Sequence, residues 1–230
     1  MKLSIIIPVY NEEPFIEAVI KKVKSVELPG NMSKEIIIVN DCSTDNTINI
    51  LSNYTGDPLI QIFHHKEKKG KGSAVRLGLE RSSGDIILIQ DADLEYDPAE
   101  YPRLLEPIIK NVSHVVFVSL FEGRIFKMPV INRLANIIAT YTVRLLFNSP
   151  ISDINTCYKV FRREVIKNMV MVSGGFTFDI ELAVKILNRG YKILGVPISY
   201  TARTREEGKK IRWPEALYLY WSIIRYRFSS

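Results

Sequence analysis

The sequence predicts an α/β protein in which helices cover both faces of a mostly parallel sheet, as in Rossmann-like doubly wound folds. Short apolar runs alternate with helical patterns through the first half of the chain. These runs are continuously apolar, which is typical of strands that are buried on both faces. The 230 residues, 47% of them hydrophobic, suit one domain with a substantial core.

Four strand–helix units are predicted in the first half. The strands lie at residues 3–10, 35–41, 59–65 and 85–91, and the helices that follow them lie at 14–26, 43–54, 72–82 and 98–110. Pro14 suits the first turn of the first helix, whose apolar residues from Phe15 to Val23 form one face. Ser43 suits the N-cap of the second helix.

The second half changes in character. Strands are predicted at 115–120, 157–161 and 191–200, and helices at 129–147, 178–190 and 214–228. The long helix at 129–147 is amphipathic, with a polar residue every four positions: Asn132, Asn136, Thr140 and Arg144. No segment has the composition of a linker, so we expect one domain.

Cysteine content and hydropathy indicate the cellular compartment and the kind of membrane contact that we expect. Cys42 and Cys157 do not make a disulfide framework, so a cytoplasmic compartment is expected. The first residues lack the length and the cleavage site of a signal peptide. No run of about 20 apolar residues occurs, so any membrane contact is expected to be peripheral, on the cytoplasmic face.

The net charge of +6 is unevenly placed, with basic clusters at 64–71, 203–212 and 225–227. Such clusters favour the phosphate groups of a nucleotide, a lipid or a nucleic acid, although ordinary solubility charge explains any one of them as well. No nucleic-acid-binding motif is present, so nucleic acid is not an expected partner.

Two acids follow the fourth predicted strand. Asp91 and Asp93 have the spacing with which two carboxylates hold Mg²⁺ or Mn²⁺ while substrate phosphates complete the shell. The alternative is a solvated strand end whose acids cap the next helix, which the apolar residues before Asp91 disfavour. Glu95 is a further candidate for a metal ligand, either direct or through water. Asp97 is expected to begin the turn at Pro98.

Other candidate residues follow the neighbouring strands, whose carboxyl ends form the ligand edge of a parallel sheet. Tyr10 suits stacking on a base, and Asp41 suits a hydrogen bond to a base or ribose. Packing for Tyr10 and a turn or cap for Asp41 are the alternatives. The segment 68–78, with Gly70 and Lys71, suits a phosphate-contacting turn before a helix or a surface turn, and it is not a P-loop.

The ordered motifs SIIIPVYNEE, EIIIVNDCSTDNT, KKGKGSAVRLGL and LIQDADLEYDP resemble family 2 glycosyltransferases of the GT-A fold. DINTCYKVFRREVI, GFTFDIELAVKILNRGYKILGVPISYTAR and EGKKI are similar to the polyprenyl-phosphate branch, which includes the dolichyl-phosphate mannose and glucose synthases. The resemblance implies a GT-A domain at 1–212, with a nucleotide-sugar half at about 1–97 and an acceptor half at about 98–212. An amphipathic aromatic and basic helix at 213–230 follows.

The resemblance also implies roles for individual residues. The nucleotide-sugar site would include Pro8, Tyr10, Glu12, Asp41, Gly70, Lys71, Asp91 and Arg203. Asp91, Asp93 and Glu95 would hold the metal, with Asp93 at the reacting diphosphate. Leu120 stands where the family has an acceptor-binding arginine, which leaves Arg124, Arg133, Lys209 and Lys210 as candidates for the acceptor phosphate. For Arg203, Lys209 and Lys210, a solvated loop is the alternative.

The reaction implied is inverting transfer of a sugar from GDP-mannose or a UDP-hexose to a polyprenyl phosphate. A phosphate acceptor is already an anionic nucleophile and needs no general base. A glycan or another soluble hydroxyl, the alternative acceptor, needs one, and Asp179 and Glu181 are the candidates. Both acids also suit the first turn of a helix. A nucleotide-binding protein without catalysis is a further alternative, which the intact Asp91 and Asp93 disfavour.

The last segment suggests a membrane surface as a partner. It combines aromatic side chains with arginines, namely Trp221, Arg225, Tyr226, Arg227 and Phe228. This composition is typical of a helix that lies on anionic lipid. A core or dimer helix explains the aromatic residues nearly as well.

Overall fold

The computed structural model describes residues 1–119, 125–126, 130–149, 151–154, 156–175, 177–201 and 213–228. The strands in these ranges are β1 (Lys2–Val9), β2 (Ser33–Asn40), β3 (Ile60–His64), β4 (Ile86–Ile89), β5 (Val115–Ser119), β6 (Ile125–Phe126), β7 (Lys159–Arg162), β8 (Leu194–Pro197) and β9 (Tyr200–Thr201). The α-helices are α1 (Ile16–Ser25), α2 (Thr47–Ser52), α3 (Lys71–Arg81), α4 (Tyr101–Ile109), α5 (Val130–Phe147), α6 (Phe178–Asn188) and α7 (Trp213–Phe228). Short 3-10 helices span Pro98–Glu100 and Arg163–Ile166.

Seven strands form one sheet in the order β3-β2-β1-β4-β7-β5-β8, and β6 pairs with β9 separately. β1 to β4 are parallel, β8 is parallel to β5, and β7 runs antiparallel between β4 and β5. The prediction of a mostly parallel sheet is therefore confirmed. The strand order reverses between β1 and β4, which is the place where open α/β sheets bind ligands.

The core explains why the strands are continuously apolar. Successive side chains of β1 point to opposite faces of the sheet. Ile5 packs in the layer that contains residues of α1 and α4, while Ile6 packs in the layer that contains Val75 of α3 and Phe178 of α6. Both faces are therefore covered, and a strand with an alternating pattern would leave a polar face buried.

Two helix starts differ from the sequence prediction. α1 begins at Ile16 because the carbonyl of Glu12 accepts from the amides of Phe15 and Ile16, so that Pro14 lies in a preceding turn. The prediction that Ser43 caps α2 is wrong, since α2 begins at Thr47. The Ser43 hydroxyl is used instead between the ends of β1 and β2.

The polar stripe of α5 contacts the loop before β7 through Asn136, Thr140 and Arg144. Asn136 donates from Nδ2 to Asp153 Oδ1 over 2.7 Å, and Thr140 Oγ1 accepts from the amide of Ile154 over 3.4 Å. Arg144 donates from Nε to a backbone carbonyl of the same loop, that of Ile151. The loop before β7 is therefore fixed by the polar side of α5.

The opposite side of α5 is apolar and exposed, at Leu134, Ile138, Tyr141 and Leu145, which are between 47% and 86% exposed. α7 packs on α5 and α6. It also exposes apolar side chains: Trp221, Ile224 and Phe228. Among the residues described, no helix has the length and the apolar character needed to cross a bilayer.

Candidate active site

The loops after β1 and β2 are tied together at the switch point. Val9 and Asn40 are register partners, so the residues that follow them emerge side by side. The amide of Asn11 donates to Ser43 Oγ over 3.0 Å, and Ser43 Oγ donates to Asn40 Oδ1 over 2.5 Å. Asn11 and Cys42 have φ angles of 50° and 61°, in the left-handed region. These turns fix the end of the sheet at which open α/β folds bind ligands in a crevice.

Asp41 anchors the segment that precedes α3. Its carboxylate is 3% exposed and accepts from the amides of Lys69 over 2.8 Å and Gly70 over 2.7 Å. His65 Nδ1 lies 2.7 Å from Asp41 Oδ1. Asp41, which the sequence predicts to bind a nucleotide base or ribose, thus holds residues 65–70 in place in the structure.

Gly70 connects this segment to α3 at a position that only glycine fits. Its φ is +90°, and a Cβ atom would lie 2.3 Å from the carbonyl oxygen of Gly174. A Cβ atom on Gly72 would lie 2.4 Å from the carbonyl oxygen of Ser173. The first turn of α3 therefore lies directly against the loop before α6.

This close approach brings Lys71 between two acids. Its Nζ lies 2.9 Å from Asp91 Oδ1, at the end of β4, and 3.1 Å from Asp179 Oδ2, on α6. Lys159 donates from Nζ to Asp179 Oδ1 over 2.7 Å. It also donates to the carbonyl of Thr156. We call Lys71, Asp91, Lys159 and Asp179 the lysine–aspartate cluster.

Charge pairing controls ionisation in this cluster. Burial opposes the charged form of Asp179, but Lys159 and Lys71 outweigh it and lower the pKa of that carboxyl below its ordinary value. Burial likewise opposes the charge on Lys71, and Asp179 and Asp91 raise its pKa well above the ordinary value. Asp179 is therefore ionised at neutral pH and has a low affinity for a proton.

Asp93 lies beside the cluster. It is 7% exposed, and its Oδ1 accepts from the amide of Glu95 over 3.1 Å. Glu95 is half-buried on the same loop. As predicted, Asp97 begins the following turn, since its Oδ1 accepts from the amide of Ala99 over 3.2 Å.

The two acids fit a divalent cation that is shared with a ligand. Carboxylate oxygens are the ligands that Mg²⁺ and Mn²⁺ prefer, and the ammonium of Lys71 already occupies a cationic position beside Asp91. Within the described ranges, no group of three or more acidic, cysteine or histidine side chains is arranged to hold a metal alone. A metal held by Asp91 and Asp93 would take its remaining ligands from a diphosphate and water.

Glu181 lies apart from the cluster, although it is only two residues from Asp179. It is fully buried and accepts from the amides of Val172 over 2.8 Å and Ser173 over 2.7 Å, and from Lys185 Nζ over 2.7 Å. A general-base role would require these hydrogen bonds to break. Its observed contacts hold the loop that packs on α3.

The remaining predicted residues divide into two groups. Pro8 is buried in β1, Tyr10 is half-buried, and Glu12 is 7% exposed, with its amide donating to Thr47 Oγ1 over 3.1 Å. These three lie at the switch point. The predictions for Arg124, Arg203, Lys209 and Lys210 fall outside the described residues, and Arg133 lies in α5 with its side chain outside them.

Sequence reasoning did not find Lys159 or Cys157. Lys159 is fully buried at the start of β7, and a lysine inside an otherwise apolar strand was the available signal. Cys157 is 6% exposed. Burial raises the pKa of its thiol well above the ordinary value, and the nearby Asp91 adds to this effect.

Comparison with known proteins agrees with this fold. The family model described as glycosyl transferase family 2 matches residues 4–170. A dolichol-phosphate mannosyltransferase of Pyrococcus furiosus is 29% identical over 213 residues, which is 91% of this chain and 59% of the relative. Glycosyltransferase AglJ of Haloferax volcanii is 27% identical over 202 residues, 87% of this chain and 63% of the relative.

An undecaprenyl-phosphate mannosyltransferase of Micrococcus luteus is 25% identical over 219 residues, 91% of this chain and 87% of the relative. The chain thus spans about three fifths of the length of the first two relatives. A crystal structure of glucosyl-3-phosphoglycerate synthase from Mycobacterium tuberculosis, in complex with Mn²⁺, UDP and glucosyl-3-phosphoglycerate, has a TM-score of 0.71 at 19% identity. The structural match covers 98% of this chain and 78% of the synthase chain.

The seven-stranded sheet, its switch point and the acid pair at the end of β4 define a domain of the GT-A type. The chain belongs to glycosyl transferase family 2.

Proposed function

We propose that this chain transfers a sugar from a nucleotide sugar to a polyprenyl phosphate, with inversion at the anomeric carbon. The observation that carries the proposal is the position of Asp179 between Lys71 and Lys159, beside the acid pair. Two lysines lower the proton affinity of the carboxylate that a hydroxyl acceptor would need as its base. A phosphate acceptor needs no such base, and two of the relatives are named for transfer to polyprenyl phosphates.

We place the nucleotide sugar at the switch point between β1 and β4. Asp91 and Asp93, with Glu95 directly or through water, would hold Mg²⁺ or Mn²⁺, which would supply positive charge to the departing nucleoside diphosphate. Lys71 contributes a second positive charge from the first turn of α3, which Gly70 allows to pack against the loop before α6. GDP-mannose and UDP-hexoses both fit this arrangement.

The reaction is one displacement. An oxygen of the acceptor phosphate forms a bond to the anomeric carbon, and the bond from that carbon to the diphosphate breaks. The electron pair stays on the nucleoside diphosphate, and no proton has to leave the nucleophile. Arg124, Arg133, Lys209 and Lys210 are the residues that we assign to the acceptor phosphate, and Arg203 is assigned to the donor.

A membrane surface supplies the lipid acceptor in this proposal. Helices α5 and α7 contact each other, and both expose apolar side chains. At this contact, the guanidinium of Arg227 lies 4.8 Å from the centroid of the Phe147 ring. Arg225 is exposed on the same end of α7. Apolar side chains next to arginines are typical of helices that bind anionic lipid at the interface.

Transfer of labelled sugar tests the proposal. The chain is incubated with a panel of nucleotide sugars and Mg²⁺ or Mn²⁺, with and without a polyprenyl phosphate, and label in the organic phase is counted. Lipid-linked label is expected with one donor, and EDTA or Asp93→Asn should abolish it. Asp97→Asn is the matched control, since Asp97 lies on the same loop, where it caps a turn and forms an exposed ion pair with Lys22. Transfer to a soluble hydroxyl acceptor without any to lipid would overturn the proposal.

A further inference from the structure

A lysine lies on the ring that is expected to stack on the base. Lys68 Nζ is 3.7 Å from the centroid of the Tyr10 ring, which is a cation–π distance. Tyr10 follows β1 at the switch point and is half-buried, whereas Lys68 is exposed. The ammonium group therefore occupies a ring face at the mouth of the crevice.

The backbone that carries Lys68 is anchored on both sides. The amide of His65 donates to the carbonyl of Asn40 over 2.9 Å, and the amides of Lys69 and Gly70 donate to Asp41. The position of Lys68 opposite Tyr10 thus follows from the fold, and only the flexible side chain is left to move.

The same contacts occupy Asp41. Both carboxylate oxygens accept hydrogen bonds, and the residue is 3% exposed. Its acceptor capacity at the crevice is largely used by the segment that it anchors. The side chain that remains to make a polar contact with a nucleotide base at this edge of the sheet is that of Lys68, which the anchored segment carries.

We propose that Lys68 selects the base of the donor. The inference rests on the proposed nucleotide-sugar function. When a base stacks on Tyr10, the ammonium leaves the ring and donates to a keto oxygen on the edge of the base. An ammonium has three donors and no acceptor. It therefore favours guanine and uracil, and it disfavours adenine and cytosine, which present an amino donor at the equivalent position.

Calorimetric titration of the full chain with GDP, UDP, ADP and CDP in the presence of Mg²⁺ tests this inference. Wild type should bind at least one keto-base nucleotide more tightly than both amino-base nucleotides. Lys68→Met keeps the length of the side chain and should reduce that preference by about tenfold. Lys68→Arg keeps the donors and should retain it.

Lys66→Met is the matched control, because Lys66 is exposed on the same segment and the change in net charge is identical. It should leave the preference unchanged. Equal weakening of all four nucleotides in Lys68→Met would overturn the inference, because it would indicate general attraction of phosphate. An unchanged preference in that variant would overturn it too. Failure of wild type to bind any of the four would instead overturn the proposed function, and this inference with it.

Discussion

Lys159 Nζ lies 2.7 Å from Asp179 Oδ1, joining the first residue of β7 to the first turn of α6. Lys159 is fully buried, and the Asp179 side chain is 15% exposed. Lys71 contacts the other oxygen of the same carboxylate. An acid paired in this way positions two lysines and is poorly suited to accept a proton.

Asp179→Asn should therefore slow transfer to a polyprenyl phosphate by about tenfold or less. Removal of a general base costs about 10² to 10⁴ in rate, and asparagine keeps an oxygen that accepts from Lys159. Initial rates at saturating acceptor measure the effect. Glu181→Gln serves as the comparison within the same helix, and a thousandfold loss in Asp179→Asn alone would assign the base role to Asp179.

Gly70→Ala should destabilise the protein by about 3 kcal/mol, because positive φ and a steric clash both act at this position. Urea unfolding measures the change. Gly30→Ala measures the loss of stability that positive φ causes without a steric clash, since Gly30 has a φ of +64° and a Cβ atom there would have no other atom within 4 Å. That control should lose about 1 kcal/mol. Equal losses in both variants would show that the loop before α6 moves away without cost.

Glu35 should make stability depend on acidic pH. Burial alone would raise the pKa of its carboxyl, but hydrogen bonds from Lys2, Ser4 and Ser83 lower it from 4.5 to about 2. Because the folded-state pKa lies below the unfolded one, the contribution is fully present above pH 4.5 and is lost as the pH falls through about 2.

Glu35→Gln should accordingly cost about 1 kcal/mol at pH 7 and much less near pH 2. Urea unfolding at a series of pH values measures the difference from wild type. Glu27→Gln is the control, because Glu27 is exposed, and it should be nearly neutral throughout. A difference for Glu35→Gln that does not change with pH would contradict the assignment.

Leu145→Glu should weaken binding to vesicles that contain anionic lipid by about tenfold, since Leu145 is 86% exposed on the apolar side of α5. Co-sedimentation measures the binding. Val112→Glu is the matched control, because Val112 is 70% exposed after α4, away from α5 and α7, and it should leave vesicle binding intact. If Leu145→Glu changed the oligomeric state and left vesicle binding unaltered, a second copy would be the partner of this surface.

The edge of the sheet to which we assign the nucleotide sugar was predictable from local sequence. The strands β1, β2 and β4 end at Val9, Asn40 and Ile89, and parallel strands bring their carboxyl ends to one edge, so the acids after them meet. The position of Asp91 and Asp93 at this edge follows from that reasoning, whereas the strand order that makes it the switch point is seen only in the structure.

The contacts within the lysine–aspartate cluster could not be predicted from local sequence. Lys71 and Asp179 are 108 residues apart, and their contact depends on glycines that let α3 approach the loop before α6. The pattern of α5 shows two stripes, but only tertiary packing decides that Asn136 and Thr140 face inward. Periodicity identifies a helix face and does not say what covers it.

The antiparallel strand β7 also dictates an order of assembly. β4 pairs with β1 and β7, while β5 pairs only with β7 and β8 within the described sheet. As the chain leaves the ribosome, β1 to β4 have their partners at hand, but β5 has none until β7 has been made. The half that carries the acid pair is thus able to form early, whereas β5 waits for a long-range closure, which is slow. During that interval the edge of β4 is unpaired, and an unpaired strand edge is prone to pair with another chain.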